Sequence, residues 1–227
     1  ESAHKKLNKN ENRYEELKRL EKEIEESQSE MHKISEKITK KRISASPKLA
    51  KLVTNELKDL GFKKSIFEIS LEQKEKPTSM GAESIEFLFA PNPGEPSKAL
   101  RSIASSGEMS RVMLALKSTL AGEDAIPVLV FDEIDANVGG AIAQSVGIKM
   151  ASLGKSHQVI SISHLPQVAS LSKSHYVVKK EFTNGGRTRS EIMKVDGKER
   201  VAEIARMLGG EKESAQLHAH SLMQTAA

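Results

Sequence analysis

The chain has 227 residues, of which 37% are hydrophobic, 29% are charged and 4% are aromatic, and its formal net charge is +4. High charge with few aromatic residues predicts a solvated helical segment on a smaller globular body, and the mildly basic balance permits contact with a polyanion without showing one. The absence of cysteine excludes disulfides, zinc–thiolate sites and cysteine nucleophiles. No apolar run approaches the ~20 residues of a membrane span. The charged N-terminus has no signal-peptide core, and the missing initiator methionine indicates a fragment.

Residues 5–43 are predicted to form one long helix with a narrow apolar seam. Apolar residues recur at alternating three- and four-residue steps, with Ser27 in the one gap, and Glu and Lys crowd the other positions. This heptad spacing is typical of a coiled coil, and about 40 helical residues span roughly 60 Å. We favour a coiled coil over an amphipathic helix that lies on the body, because charge surrounds so narrow a stripe. The seam consists of Leu17, Leu20, Ile24, Met31, Ile34 and Ile38.

The coil is expected to end near Ser44–Pro47, which divides the chain into a coiled-coil segment, 1–45, and a globular lobe, 46–227. Ser46 suits a helix N-cap and Pro47 suits a first helical position. A second helix should follow and end at Gly61. Its apolar face carries Leu49, Leu52, Val53, Leu57 and Leu60.

A switch to period-two spacing then predicts two half-buried, antiparallel strands. Their apolar positions are Phe67, Ile69 and Leu71 in the first strand, and Ile85, Phe87 and Phe89 in the second.

The centre of the chain has the pattern of a strand–helix–strand unit. A helical face at Met109, Val112, Met113, Leu116 and Leu120 comes first. The uninterrupted apolar run 126–131 then predicts a strand buried on both faces in a parallel sheet. A helix over 138–153 and a strand over 159–163 follow. Beyond them, Asn184-Gly185-Gly186 predicts a hairpin between strands 176–182 and 190–195, and two short helices close the chain.

Three elements of this central unit carry residues suited to chemistry. Ser105-Ser106-Gly107-Glu108 opens a helix, where free backbone N–H groups can bind an anion, although simple helix capping explains the same residues. Asp132 and Glu133 end the apolar strand. There Asp132 could hold Mg²⁺ beside a phosphate and Glu133 could activate a water, although acidic residues are also normal where a strand reaches the surface.

His164 ends the next strand and could donate to a phosphate oxygen or position a water, although a lone histidine is more often solvated or capping. Both strands deliver these groups at their C-terminal ends, where open α/β sheets bind ligands.

Together the segments SSGEMSR, VLVFDEID and SISHLPQVA resemble the signature motif, the Walker B motif with the D-loop, and the H-loop of an ABC-type ATPase. A coiled coil before the signature motif resembles the SMC-like branch, and SHLPQVA with EIARMLGG (203–210) is most similar to the RecN family. The resemblance implies an α/β fold, the C-terminal lobe of an SMC/ABC-type P-loop ATPase head with a protruding N-terminal coiled-coil helix.

The resemblance also implies roles for individual residues. Asp132 would bind Mg²⁺, in part through water, Glu133 would orient the attacking water and His164 would sense the γ-phosphate. The signature residues Ser105, Ser106, Gly107 and Glu108 would reach a nucleotide held by an opposite head. Asp135 would lie at the head–head interface, and Arg111 would support it. The family usually has two glycines after the signature serine, and Ser106 replaces the first, so its Cβ is expected to narrow the approach of the backbone to phosphate.

No GxxxxGK[ST] motif occurs in the chain, which therefore lacks a phosphate cradle and is expected to be inactive alone. The resemblance implies ATP and Mg²⁺ as cofactors. It implies three partners and no membrane. The first is the N-terminal half of the same protein, with the Walker A lobe and an antiparallel coil helix. The others are a second head, joined through ATP-dependent dimerisation, and DNA bound without sequence preference.

The leading hypothesis is an ATPase of recombinational double-strand-break repair in the cytoplasm, associated with the bacterial nucleoid. The alternatives are a structural DNA tether that uses ATP as a dimer switch and, less favoured, a transporter ATPase.

Overall fold

The computed structural model describes residues 2–123, 125–182, 188–210 and 213–224. The chain divides into two compact units, residues 1–48 with 68–87, and residues 49–67 with 88–227. This division differs from the predicted boundary at residue 45, because the strands over 68–87 group with the first unit. None of the described helices is long and apolar enough to cross a membrane.

Helix α1, Ser2–Asp59, runs without interruption through the segment where we expected the coil to end. The predicted break at Ser44–Pro47 is therefore wrong. Pro47 lacks the N–H that would donate to the carbonyl of Ile43. Ser46 does not cap a new helix, and its hydroxyl donates to the carbonyl of Arg42 at 2.8 Å. Burial of Val53 and Leu57 further along the helix stabilises its continuation.

The predicted seam of α1 is mostly exposed. Leu17, Leu20, Ile24, Met31 and Ile34 are each more than 40% exposed, so no part of the described chain covers this stripe. At the other end, Leu60 is buried as expected but Leu52 is 55% exposed. Gly61 adopts a left-handed φ of 97° just after the helix, as its predicted role as a terminator requires.

The predicted pair of strands is confirmed as β1, Ile66–Thr78, and β2, Gly81–Ala90, which neighbour each other in a sheet across a two-residue connection. A short strand β3, Lys98–Ala99, pairs antiparallel with β2. Within the first unit, buried Glu83 of β2 accepts hydrogen bonds from Thr39 and from Arg42 of α1, the latter at 2.6 Å.

The strand–helix–strand unit is also confirmed. Helix α2, Ser106–Leu120, precedes strand β4, Val128–Phe131. Helix α3, Gly140–Leu153, connects β4 to strand β5, Gln158–Ser161, and the two strands pair in parallel. Leu129 and Phe131 of β4 are buried, whereas Val128 and Val130 are exposed. The prediction that both faces of this strand are buried is therefore wrong within this chain.

The remaining elements begin with a short helix that was not predicted, and the predicted hairpin strands and two closing helices follow in order. They are helix α4, Pro166–Ala169; strands β6, His175–Phe182, and β7, Thr188–Val195, paired antiparallel; and helices α5, Gly197–Met207, and α6, Glu213–Gln224. The hairpin turn predicted at Asn184–Gly186 lies outside the described residues.

The second unit contains buried apolar residues from several elements. Val53 and Leu57 of α1, Leu60 just after it, Val112 and Leu114 of α2 and Val146 of α3 are each 0% exposed. Phe62 and Phe89 pack edge to face, with ring centroids 5.2 Å apart. Buried residues also lie on α2 and β4, the elements that carry the candidate site.

Candidate functional site

The centre of the candidate site is the loop 132–137, which leaves the C-terminal end of β4. Glu133 has φ 55° and Asn137 has φ 59°, a left-handed conformation that residues other than glycine rarely adopt. The N–H of Ala136 donates to the carbonyl of Glu133 at 3.0 Å and closes a turn. Such backbone persists only where its surroundings over-determine it, and it clusters at functional sites.

The first turn of α2 lies directly against this loop. Ser105 is the N-cap of α2 and its hydroxyl accepts from the N–H of Glu108 at 3.4 Å, so the capping role considered from the sequence is present. The Ser106 hydroxyl donates to the carboxylate of Glu133. A Cβ added to Gly107 would lie 2.9 Å from the Cβ of Ala136 and 3.2 Å from the carbonyl oxygens of Ala136 and Glu133. Glycine at this position is therefore required by the loop that it packs against.

One turn further along, two side chains of α2 hold the backbone of the loop. The Ser110 hydroxyl donates to the carbonyl of Asp132 at 3.0 Å, and Nη1 of Arg111 donates to the carbonyl of Ala136 at 3.1 Å. The Arg111 guanidinium is buried over the ring of Phe62, 5.2 Å from its centroid. Burial lowers the pKa of Arg111, and the carboxylate of Glu108 opposes that shift. The described contacts of Arg111 thus lie within this chain.

On its other side, the loop contacts the residues that follow β5. The carboxylate of Asp135, 2% exposed, accepts hydrogen bonds from the Ser163 hydroxyl and from the backbone N–H of His164 at 2.9 Å. Nδ1 of His164 lies 3.4 Å from the same carboxylate oxygen, while the imidazole is 71% exposed. Asp135 therefore faces inward and orients the segment that carries His164.

Asp132 and Glu133 present exposed carboxylates at this edge of the sheet. In the described part of the chain, no group of three or more His, Asp or Glu side chains is arranged to hold a metal ion by itself. A Mg²⁺ ion is commonly held by one or two carboxylates, with water and substrate phosphates as its other ligands. The exposed carboxylate of Asp132 fits that kind of site.

The structure thus joins the three predicted elements through one loop, although the exposed His164 imidazole has a described contact only with Asp135. Reasoning from sequence missed Ser110 and Ser163, which hold the loop from either side. Ser163 stands beside His164 in the SISH segment, which could have indicated it. Ser110 carries no sequence signal beyond its place one turn into α2.

Comparisons with known proteins identify relatives of the chain and a similar fold. No protein-family model matches the chain. The chain is 43% identical over 205 residues to the DNA repair protein RecN of Xylella fastidiosa strain 9a5c. This match covers 89% of this chain and 37% of that protein. It is 37% identical to RecN of Streptomyces coelicolor, covering 87% and 37%, and 34% identical to RecN of Bacillus subtilis strain 168, covering 95% and 40%. The chain therefore spans about two fifths of the length of these relatives.

Among solved structures, the Smc head domain with a coiled coil and joint from Pyrococcus yayanosii matches with a TM-score of 0.54 at 20% identity. This match covers 86% of this chain and 37% of that chain, and it shows the fold alone. The matched relatives, the head fold and the order of the motifs together show that the chain belongs to the RecN family and has the fold of an SMC-type head.

Proposed function

We propose that this chain supplies one lobe of an ATP-hydrolysing head in a RecN-like protein that acts in recombinational repair of DNA double-strand breaks. ATP would join two heads, and hydrolysis would release them. The observation that carries the proposal is the loop 132–137, which contacts both the first turn of α2 and the residues after β5.

Within this proposal, each exposed group at the loop has a chemical task. Asp132 would be a ligand of Mg²⁺, which neutralises phosphate charge during phosphoryl transfer. Glu133 would orient the attacking water, and His164 would donate to the γ-phosphate. Ser105 and the first turn of α2 would face the nucleotide of a second head, because helix N-termini favour anions. The inward carboxylate of Asp135 supports a role in positioning His164 rather than in touching the nucleotide.

The uncovered faces of the chain support the proposed partners. Val128 and Val130 of β4, with Ile160 and Ile162 at β5, leave an apolar sheet face exposed by 42% or more. Sheets in α/β proteins are normally covered on both faces. A lobe with a P-loop would cover this face, and an antiparallel helix would cover the exposed seam of α1. DNA would be bound through phosphate contacts by lysines and arginines, without sequence preference.

The proposed function is tested by Glu133→Gln in the complete protein that contains this lobe. The amide cannot accept a proton from the attacking water, so we expect steady-state ATP hydrolysis to fall by roughly 10²–10⁴-fold, as for loss of a general base. The ATP-dependent dimer should persist and be measurable by light scattering.

A matched control is Glu123→Gln, an exposed glutamate in the turn after α2. It should hydrolyse ATP at the wild-type rate. Undiminished turnover by Glu133→Gln would contradict the assignment of Glu133. DNA bridging that persists in Glu133→Gln with ATP would favour the structural tether over a turnover-driven machine.

A further inference from the structure

A hydrogen bond joins the signature turn to the carboxylate of the same head. The Ser106 hydroxyl donates to Oε2 of Glu133 across 27 positions of sequence. Both side chains are exposed, so close packing does not hold them in place. The hydrogen bond is therefore the contact that sets the direction of the Glu133 carboxylate.

The backbone around Glu133 is already fixed. The carbonyls of Asp132 and Ala136 accept from Ser110 and Arg111, and Glu133 itself is in a left-handed turn. What remains free is the rotation of the Glu133 side chain. A single donor at Ser106 is enough to select one of its orientations.

Positions 106 and 107 differ in whether they have room for a side chain. A side chain at position 107 would collide with Ala136 and with the carbonyl oxygen of Glu133, whereas position 106 is exposed and already carries one. A glycine at position 106 would fit but would lack the hydroxyl. Serine here adds a donor that reaches Glu133.

We propose that Ser106 is a positioning residue that holds the Glu133 carboxylate while the head is separate and releases it when α2 meets the nucleotide of a second head. The inference rests on the proposed function, which brings the two heads together through ATP. A serine hydroxyl has one hydrogen to donate, so it cannot serve the carboxylate and a phosphate oxygen together. Transfer of that hydrogen bond to phosphate frees the carboxylate of the same head and thereby couples the two sites.

A double-mutant cycle on head association tests this coupling. In the complete protein, dimerisation with a non-hydrolysable ATP analogue is measured for the wild type, Ser106→Ala, Glu133→Ala and the double variant. In the Glu133→Ala background, Ser106→Ala removes only a phosphate contact and should weaken the dimer. With Glu133 present it also abolishes the resting contact. The factor by which Ser106→Ala weakens dimerisation should therefore be at least about threefold smaller with Glu133 present than in the Glu133→Ala background, which is the effect of one net hydrogen bond.

Ser106→Thr keeps the hydroxyl and should behave as the wild type in both backgrounds. An equal fold-change for Ser106→Ala with and without Glu133 would overturn the proposal, because Ser106 would then act on the nucleotide alone.

A nucleotide-free measurement separates this proposal from the proposed function. Thermal unfolding of the same variants is measured without nucleotide, and the effects of Ser106→Ala and Glu133→Ala on the midpoint should be non-additive. In a control cycle, Ser152→Ala at an exposed position of α3 is combined with Glu133→Ala, and the two effects should be additive. If no variant dimerises with nucleotide, the proposed function fails. The unfolding midpoints still show whether Ser106 and Glu133 are in contact. Additive midpoints for Ser106 and Glu133 would overturn the contact and the proposal with it.

Discussion

At the scale of single residues, Gly107 shows how closely α2 fits the loop after β4. An added Cβ would meet the Cβ of Ala136 and two backbone oxygens, none of which is the end of a flexible side chain. The fit also explains why the motif can replace its first glycine by Ser106 and keep the second. The glycine that remains is the one whose Cα faces the loop.

Gly107→Ala should therefore cost about 1–3 kcal/mol of unfolding free energy, the usual penalty for overpacking. Because the clash pushes α2 away from Glu133, ATP hydrolysis by the complete protein should fall as well. Chemical denaturation and a steady-state assay measure the two effects.

Gly122→Ala is the matched control, since a Cβ at Gly122 has no neighbour within 4 Å. It should change neither quantity appreciably. Equal stability of both variants would show that the loop and α2 are not in the contact described.

At the scale of elements, periodicity predicted the hairpin β1–β2, the parallel pair β4–β5 and the order of the helices, because the spacing of apolar residues is a local property that burial enforces. It failed at Pro47, because local propensity there is overridden by the packing of Val53 and Leu57. The motifs named residues that the structure places at or beside the loop 132–137. They could not predict that Asp135 faces inward, since nothing in the spacing tells which side of a turn a carboxylate takes.

Pro47 leaves a testable weakness in α1. A proline inside a helix removes one hydrogen bond and strains the preceding turn, so Pro47→Ala should raise the unfolding free energy by about 1–3 kcal/mol. Thermal unfolding followed by circular dichroism at 222 nm measures the change.

Exposed Ser44→Ala on the same helix is the control and should give only a few tenths of a kcal/mol through helix propensity. A loss of stability in Pro47→Ala would mean that the helix is interrupted at this position.

At the scale of the whole molecule, the proposed catalytic groups lie on a chain that contains no Walker A motif. No GxxxxGK[ST] motif, the motif whose backbone nest and lysine hold β- and γ-phosphates, lies in its 227 residues. The proposed catalytic carboxylate and the proposed cradle therefore belong to different segments of polypeptide.

The chain by itself is accordingly expected to bind ATP poorly. Isothermal titration with MgATP should show no saturable binding at concentrations that saturate the complete protein, and phosphate release should stay at background. Robust turnover by the chain, abolished by Glu133→Gln, would disprove this expectation.

The uncovered sheet face of β4 and β5 has a practical consequence for preparing the molecule. Val128, Val130, Ile160 and Ile162 form an exposed apolar surface on the two-stranded sheet β4–β5, and such a surface favours aggregation. The chain expressed alone should bind hydrophobic dyes and precipitate at concentrations that a co-expressed covering lobe would tolerate. The yield and solubility of a preparation therefore indicate whether this apolar face is covered, before any enzymatic assay is run.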